Sequence, residues 1–165
     1  MIRHAQAAGA PVDRDRPLTA QGARNAGAIG AWLERGGFVP DRVVVSPALR
    51  ARQTWEQAAA SVVLDGPPTV DERIYENTVE AVLAAIADTS EDVQTHLDVG
   101  HNPSLGELPS ALDDGQGDPG ARRSLQAGFP TGAVAVFEVG GTYGELEPAA
   151  ATLSAIEVPA ARPGG

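Results

Sequence analysis

Three separated stretches of the chain each place a guanidinium group or an imidazole beside an end-of-strand signal. They are residues 2–6, 46–51 and 100–103, and two of them run directly into a helix start. In an open α/β sheet, ligands bind beyond the carboxyl ends of the parallel strands, where helix N-termini present free N–H groups and a positive partial charge. Cationic side chains at that edge would hold an anion, and a phosphate fits such a position. The pattern therefore predicts a phosphoryl-binding site.

The segment that contains Arg50 illustrates how the fold would deliver a side chain to this site. Val43–Val45 is an apolar, β-branched run typical of a buried strand, and Ser46 suits the N-cap of the helix that follows. Arg50 then lies in the first helical turn, and its side chain leans back over the strand end because helical Cα–Cβ bonds tilt toward the N-terminus. A second strand, 97–100, delivers His101 in the same way. One arginine and one histidine are therefore expected at the same edge of the sheet.

The elements that must position these residues follow from apolar periodicity and from helix and turn signals. Helices are predicted over residues 19–34, 47–60, 78–87 and 103–112, the last of them interrupted at Pro109. Strands are predicted over residues 42–46, 93–99 and 132–139. This alternation of strands and helices indicates a three-layer α/β/α fold around a mostly parallel sheet with right-handed crossovers.

The remaining segments carry weaker signals. Residues 69–76 are predicted as a short strand or an extended loop, and Asn77 is predicted to open the next helix as the first residue of a capping box. Gly140-Gly141 suits a two-residue hairpin turn into a return strand over residues 143–147, which would form an antiparallel edge. Residues 151–158 are predicted to add one more edge segment.

Loops and chain ends complete the outline. Residues 5–18 are predicted to form a loop over the active edge, and residues 113–120 a Gly/Asp-rich surface loop. A single domain over residues 1–158 and a loose tail over residues 159–165 are expected. Only two residues precede the Arg3-His4 pair, so either the first strand is very short or residues are missing upstream.

Composition narrows the classes of function. The 165-residue chain has a net charge of −10 and no lysine, so all twelve basic residues are arginines. This balance argues against a nucleic-acid surface and suits recognition of a single phosphoryl group. The absence of cysteine excludes disulfides, thiolate chemistry and cysteine metal sites. No apolar run approaches the ~18 to 20 residues of a membrane span, so a cytoplasmic protein without a membrane partner is expected.

Four ordered motifs resemble the histidine phosphatase superfamily, in its small branch of bacterial SixA-like phosphohistidine phosphatases. They are Arg3-His4-Ala5, Arg16-Pro17-Leu18-Thr19, Ser46-Pro47-x-x-Arg50-Ala51-x-Gln53-Thr54 and Gly100-His101-Asn102-Pro103. They run over nearly the whole chain in the right order. The resemblance implies a phosphoglycerate mutase-like fold and a two-step phosphoryl transfer through a covalent phosphohistidine.

Roles for individual residues follow from this resemblance. His4 would be the nucleophile, and an imidazole suits this role because its ordinary pKa leaves it largely neutral at pH 7. Arg3, Arg50 and His101 would hold the phosphoryl oxygens, because such transfers depend on positioning and on neutralising charge. The resemblance implies neither a metal nor another cofactor.

Three further residues are candidates for the site. By resemblance, Glu76 is placed where related phosphatases carry a general acid, although a solvated residue before a capped helix explains it equally well. Arg16 and Asn102 are expected to contact the substrate. Arg16 has an alternative reading as the partner of Asp13 or Asp15 on its own loop.

The function predicted from these motifs is that of a phosphohistidine protein phosphatase or a small phosphomonoesterase, which would release inorganic phosphate. The short connections leave no sequence for a large lid, so an open and shallow pocket is expected. A phosphoglycerate mutase-like isomerase is an alternative that the short chain disfavours. A phosphate-binding regulator without turnover is a second alternative, disfavoured because the nucleophile and its cations are all present.

Overall fold

The computed structural model of the chain describes residues 1–64 and 66–161. Over these residues one sheet contains β1 (Ile2–Arg3), β2 (Arg42–Val45), β3 (Thr69–Val70), β4 (His96–Gly100), β5 (Val134–Val139) and β6 (Ala151–Glu157). The helices are α1 (Ala20–Arg35), α2 (Leu49–Ala59), α3 (Glu72–Glu76), α4 (Val79–Ala87), α5 (Ser104–Leu112) and α6 (Pro119–Ala127). Two short 3₁₀ turns lie at residues 13–15 and 143–145. No helix in the described ranges is both long and apolar enough to cross a membrane.

The strand order is β3-β2-β4-β1-β5-β6, and the first four strands in that order are parallel. β5 runs antiparallel to both β1 and β6. The predicted architecture, a mostly parallel sheet with an antiparallel edge, is therefore confirmed. Arg3 pairs with Gly100, and Val45 pairs with Val99. This register brings the carboxyl ends of β1, β2 and β4 to nearly the same level.

Helices cover both faces of the sheet. Side chains of α1 and α2 pack with Val43 and Val45 on one face, and α3 to α6 pack with Val44 on the other. All three valines are buried, which explains why β2 reads as a continuous apolar run and not as an alternating one. The strand-plus-helix pattern around residue 45 was therefore sufficient to place this part of the fold.

The short strand predicted within residues 69–76 is confirmed at its start, as β3, but two predictions nearer residue 75 were wrong. Residues 72–76 form the short helix α3, which begins after Asp71 because the Asp71 carboxylate accepts a hydrogen bond from the Arg73 N–H. Asn77 does not open α4. It ends α3 in the left-handed conformation with φ 62°, and Thr78 caps α4 by accepting from the Ala81 N–H. The N-cap is therefore one residue later than predicted, and no capping box forms because the third residue after Thr78 is Ala81.

Two other helices also differ from prediction. α2 begins at Leu49 with Ala48 at its N-cap, because the backbone at Ala48 is still extended; the Ser46 hydroxyl accepts from the Ala48 N–H and contacts the His101 ring. α5 continues through Pro109, where an interruption was predicted. Both differences shorten or extend an element by a few residues without changing the layer to which it belongs.

The C-terminal third shows the largest departures. Residues 119–127 form α6, whose start lies inside the predicted surface loop and whose N-terminus is capped by Asp118. Residues 143–145 form a 3₁₀ turn and not the return strand of a hairpin, and the antiparallel partner of β5 is β6. Of the predicted tail, residues 159–161 have no regular secondary structure, and residues 162–165 lie outside the described ranges.

Candidate active site

The ends of β1 and β4 bring the two predicted site histidines together. His4 follows β1 and donates its backbone N–H to the Gly100 carbonyl at 2.9 Å. The ring centroids of His4 and His101 lie 5.1 Å apart, and both residues are buried. Residues almost a hundred positions apart therefore share one edge of the sheet, as the sequence predicted.

His4 is held in one tautomer by its own backbone. Its Nδ1 lies 2.8 Å from the Ala5 carbonyl oxygen, which accepts but cannot donate, so Nδ1 carries the proton. The pKa of His4 is lowered to about 4, mainly by burial and also by the charges of Arg50, Arg3 and Arg16, although the Ala5 hydrogen bond opposes this lowering. At neutral pH the ring is uncharged, and Nε2 keeps its lone pair. This is the state that a nucleophile requires.

His101 is oriented by Ser46. Its Nε2 lies 2.7 Å from the Ser46 hydroxyl, which also accepts from the Ala48 N–H at 3.3 Å. We assign the hydroxyl proton to this bond, which places the His101 proton on Nδ1. The pKa of His101 is lowered to about 3, mainly by burial and also by the adjacent His4 and Arg50. His101 is therefore a neutral donor at the site.

Arg50 is anchored from two sides. Its Nη1 and Nη2 donate to the backbone carbonyl and the carboxylate of Asp13 at 2.7 and 3.1 Å. Its own carbonyl accepts from the Thr54 hydroxyl, which in turn accepts from the Ala5 N–H. The Arg50 side chain is only 7% exposed. The guanidinium is thus locked in place beside the residue that follows His4.

The Asp13 carboxylate also binds Tyr75, whose hydroxyl donates to it at 3.0 Å. Burial raises the pKa of Asp13, but hydrogen bonds from Arg50, Tyr75 and Arg16 together outweigh burial and hold the pKa below its ordinary value. The Tyr75 ring lies edge-on to His101, with 5.9 Å between the centroids. The loop around residue 13 and helix α3 therefore close one side of the site.

Arg3 lies on the other side of the site. Its Nη1 donates to the Phe129 carbonyl at 2.9 Å, and the same carbonyl accepts from the Asn102 side-chain amide at 3.1 Å. This shared acceptor places Arg3 and Asn102 next to each other. Phe129 belongs to the segment between α6 and β5, which the sequence analysis did not connect with the site.

Three buried donors around His4 have no acceptor among the described residues. They are Arg3 Nε, Arg50 Nε and His101 Nδ1. Buried N–H groups are almost always hydrogen-bonded, and leaving one unsatisfied costs about 1 to 3 kcal/mol. Their presence on the residues that surround a neutral imidazole indicates that the site is built for an anion with several oxygen acceptors.

The other three candidates have different environments. Glu76 is exposed at the end of α3 and forms no hydrogen bond or ion pair within the described part of the chain. Arg16 folds back onto its own loop, with Nε donating to the Ala8 carbonyl and Nη1 3.3 Å from Asp13. That pairing agrees with the alternative reading of Arg16. Asn102 has a buried side-chain oxygen without a donor in the described ranges.

Sequence reasoning missed Asp13, Tyr75 and Phe129. Asp13 was considered only as a partner of Arg16, and a loop carboxylate carries no local signal for pairing with an arginine 37 positions away. The Tyr75 side chain on α3 contacts His101, but the family resemblance indicated only its neighbour Glu76. The Phe129 contact is made by a backbone carbonyl, which no residue type reveals.

A model of the histidine phosphatase superfamily (branch 1) matches residues 1–110. The chain belongs to this superfamily. It is 35% identical over 127 residues to the phosphohistidine phosphatase SixA of Escherichia coli K12, which covers 72% of this chain and 76% of that protein. The family resemblance read from the four motifs is therefore confirmed, and membership supports phosphatase activity.

Two solved structures of SixA-type proteins share this fold. One, from Nakamurella multipartitia, has a TM-score of 0.82 and 35% identity, over 96% of this chain and 93% of that chain. The other is a protein histidine phosphatase SixA complexed with tungstate, with a TM-score of 0.76 and 29% identity, over 96% and 94% of the two chains. The phosphoglycerate mutase-like fold predicted from the resemblance is thereby confirmed.

Proposed function

We propose that the protein is a phosphatase that transfers a phosphoryl group to His4 and then to water, with a phosphohistidine side chain of a protein as its substrate. The observation that carries the proposal is the set of three buried donors around the neutral His4 ring that find no acceptor in the described part of the chain. A phosphoryl group supplies oxygen acceptors for such donors, and its phosphorus atom is a target for the His4 Nε2 lone pair.

In the first step, His4 Nε2 attacks phosphorus and the bond from phosphorus to the leaving group breaks. Charge spread over the three equatorial oxygens is met by N–H groups of Arg3, Arg50 and His101. Asp13 accepts hydrogen bonds from both terminal nitrogens of Arg50. We therefore propose that Arg50 binds the phosphoryl group through its Nε–H alone and not through a bidentate contact. The leaving group departs with the electron pair and must gain a proton.

We propose Glu76 as the source of that proton. It is exposed one position beyond Tyr75, at the open end of α3, where the leaving group of a large substrate would be accessible. An imidazole leaving group, as in phosphohistidine, makes a smaller demand on an acid than an alkoxide does. In the second step the ionised carboxylate accepts a proton from water, water attacks phosphorus, and the bond to His4 Nε2 breaks to release phosphate.

The substrate class is proposed from two observations. Short connections border the site, such as the five-residue helix α3, and they suit access by a side chain of another protein or by a small phosphomonoester. The SixA relatives are named as phosphohistidine phosphatases. We propose Asn102 and Arg16 as additional contacts to the substrate, because both border the groups that surround His4.

Trapping the covalent intermediate tests this function. Brief exposure to a ³²P-labelled phosphohistidine peptide should label the wild-type protein, and His4→Ala should abolish both the label and turnover. Arg50→Ala should keep the nucleophile but lower kcat by about a hundredfold, as expected for removal of one donor to the developing charge. Robust turnover by His4→Ala would refute the assignment.

Parallel substrates separate the alternatives. Hydrolysis of the phosphohistidine peptide and of p-nitrophenyl phosphate is expected, without conversion of 3-phosphoglycerate to its isomer. Isomerisation would point to a mutase, and phosphate binding without any turnover would point to a regulator. Thermal unfolding of each variant serves as the control for folding.

A further inference from the structure

The Asn77 side chain connects the end of α3 to the turn that follows His101. Its side-chain amide N–H donates to the Asn102 carbonyl, and its oxygen accepts from the Ser104 N–H at 3.1 Å and from the Ser104 hydroxyl at 2.7 Å. Asn77 has φ 62°, a left-handed conformation that asparagine tolerates better than most residues. This backbone conformation turns the chain between α3 and α4 and leaves the Asn77 amide directed at the His101 turn.

α5 depends on this contact for its N-terminal cap. Its N-cap residue is Pro103, which has no side-chain acceptor for the free N–H groups of the first turn. Asn77 supplies that acceptor from a different element, through the Ser104 N–H. The Ser104 hydroxyl also lies 3.1 Å from the His101 carbonyl oxygen. The backbone from residue 102 to residue 104 is therefore tied to Asn77 at both ends, and Ser104 links this segment to the His101 carbonyl.

The His101 ring itself has one hydrogen-bonded tie, to Ser46, and its Nδ1 has no acceptor among the described residues. The direction of Nδ1 is consequently set by the backbone of this turn as much as by the ring contact. Helix α3, whose C-cap is Asn77, carries Tyr75. The Tyr75 ring contacts the His101 ring, and the Tyr75 hydroxyl donates to the Asp13 carboxylate, which holds Arg50. Asn77 thus sets the position of His101 relative to the Arg50 side of the site.

We propose that Asn77 is a positioning residue of the active site, which directs His101 Nδ1 at the phosphoryl group by holding the turn from Asn102 to Ser104. The inference rests on the proposed role of His101 as a ligand of the phosphoryl group. Asn77 itself touches no reacting atom.

Asn77→Gly is the decisive variant, because glycine accepts the left-handed backbone and only the side-chain hydrogen bonds are lost. We expect kcat/KM for p-nitrophenyl phosphate and the affinity for inorganic phosphate each to fall by about tenfold, since small misplacements of a ligand are costly in such sites. The matched control is Thr78→Ala. It removes the cap of α4 at the next residue and lowers the unfolding midpoint without touching the His101 turn.

A double variant tests whether Asn77 acts through His101. If it does, Asn77→Gly should cost about tenfold in the wild-type background and less than about twofold when His101 is already alanine, because coupled residues are not additive. A merely structural role would lower activity equally in both backgrounds. That result would overturn the proposal. So would a loss of activity in Thr78→Ala equal to that in Asn77→Gly, if the two variants have the same unfolding midpoint. Wild-type phosphate affinity for Asn77→Gly would overturn it as well.

Failure of the proposed phosphatase function can be distinguished from failure of the role proposed for Asn77. If the wild-type protein hydrolyses no phosphorylated substrate, the phosphatase mechanism fails. The calorimetric affinities for inorganic phosphate still decide the role of Asn77, because they require only the anion site.

Discussion

Acidification from pH 6.5 to pH 4 should remove much of the stability of this protein, because two imidazoles are buried in their neutral form. The pKa of His4 is lowered to about 4 and that of His101 to about 3, chiefly by burial, from the ordinary value of 6.5. As pH falls through 6.5, the unfolded chain binds a proton at each ring and the folded protein does not. The stabilisation is therefore complete above pH 6.5 and is lost as pH falls toward the folded pKa values.

The size of the effect follows from the same values. Each unit of pKa difference is worth about 1.4 kcal/mol. Between pH 6.5 and pH 4, His4 and His101 would therefore each lower the free energy of unfolding by about 3 kcal/mol. The rings lie only 5.1 Å apart, and part of the lowering of the His101 pKa reflects the charge of His4, so the sum of about 6 to 7 kcal/mol is an upper bound. Small domains have free energies of unfolding of about 5 to 15 kcal/mol, and partial or complete unfolding near pH 4 is expected.

Urea unfolding at several pH values from about 7.5 to about 4.5 measures this loss as a slope, with a limit of about 2.7 kcal/mol per pH unit for two protons. The double variant His4→Asn/His101→Asn retains polar side chains of smaller volume but removes both titrating rings. Its slope between pH 6.5 and 4.5 should be much shallower. An equally steep slope in this variant would refute the reasoning, because other groups would then be the source of acid sensitivity.

Three other outcomes are expected. In assays too brief for acid unfolding, and after correction for the titration of the substrate phosphoryl group, kcat/KM should show no loss as pH falls through 6.5 and should fall only near pH 4, because the pKa of His4 is lowered to about 4; a remaining loss of activity with a midpoint at 6.5 would contradict this. Asp13→Asn should tighten inorganic phosphate binding by about fivefold. The substitution removes a negative charge that competes with phosphate for Arg50, and an exposed ion pair of this kind is worth about 1 kcal/mol. Calorimetric titration measures this affinity, and weaker binding would show that Asp13 serves mainly to hold Arg50. Gly30→Ala should destabilise the protein by about 2 to 3 kcal/mol in chemical denaturation, because the added Cβ would lie 2.1 Å from a carbonyl oxygen of α2. Gly27→Ala, on the same helix with open space around it, should stabilise by about 1 kcal/mol and is the matched control.

The elements that were predicted correctly are those with strong local signals. α1 begins after Thr19, whose hydroxyl accepts from the Gly22 N–H, and it ends at a Gly-Gly pair. β2 is recognisable because apolar β-branched residues continue across a strand that is covered on both faces. The positions of His4 and His101 at strand ends, and of Arg50 in the first turn of α2, follow from these elements and from the parallel topology they imply.

The errors occurred where two local solutions have similar energies. Asn77 and Thr78 are both good N-caps, and the choice between them was decided by the demand of α5 for an acceptor. After β5, the Gly-Gly turn signal competed with a capping box closed by Thr142 and Glu145, which forms a 3₁₀ turn and delays the return strand. Single hydrogen bonds contribute only about 0.5 to 1.5 kcal/mol, so packing elsewhere can reverse such choices.

The amino-acid sequence by itself determined the layered fold, the family, and that His4, Arg50 and His101 lie at one edge of the sheet. Local hydrophobic patterning and ordered motifs contain that information. Tertiary structure alone decided how each residue is held: His101 by Ser46, Arg50 by Asp13, and Arg3 by the Phe129 carbonyl. These partners are short polar side chains and backbone groups. Each site residue has several such groups of comparable strength within reach. Only the long-range packing of the chain brings one of them to the correct distance.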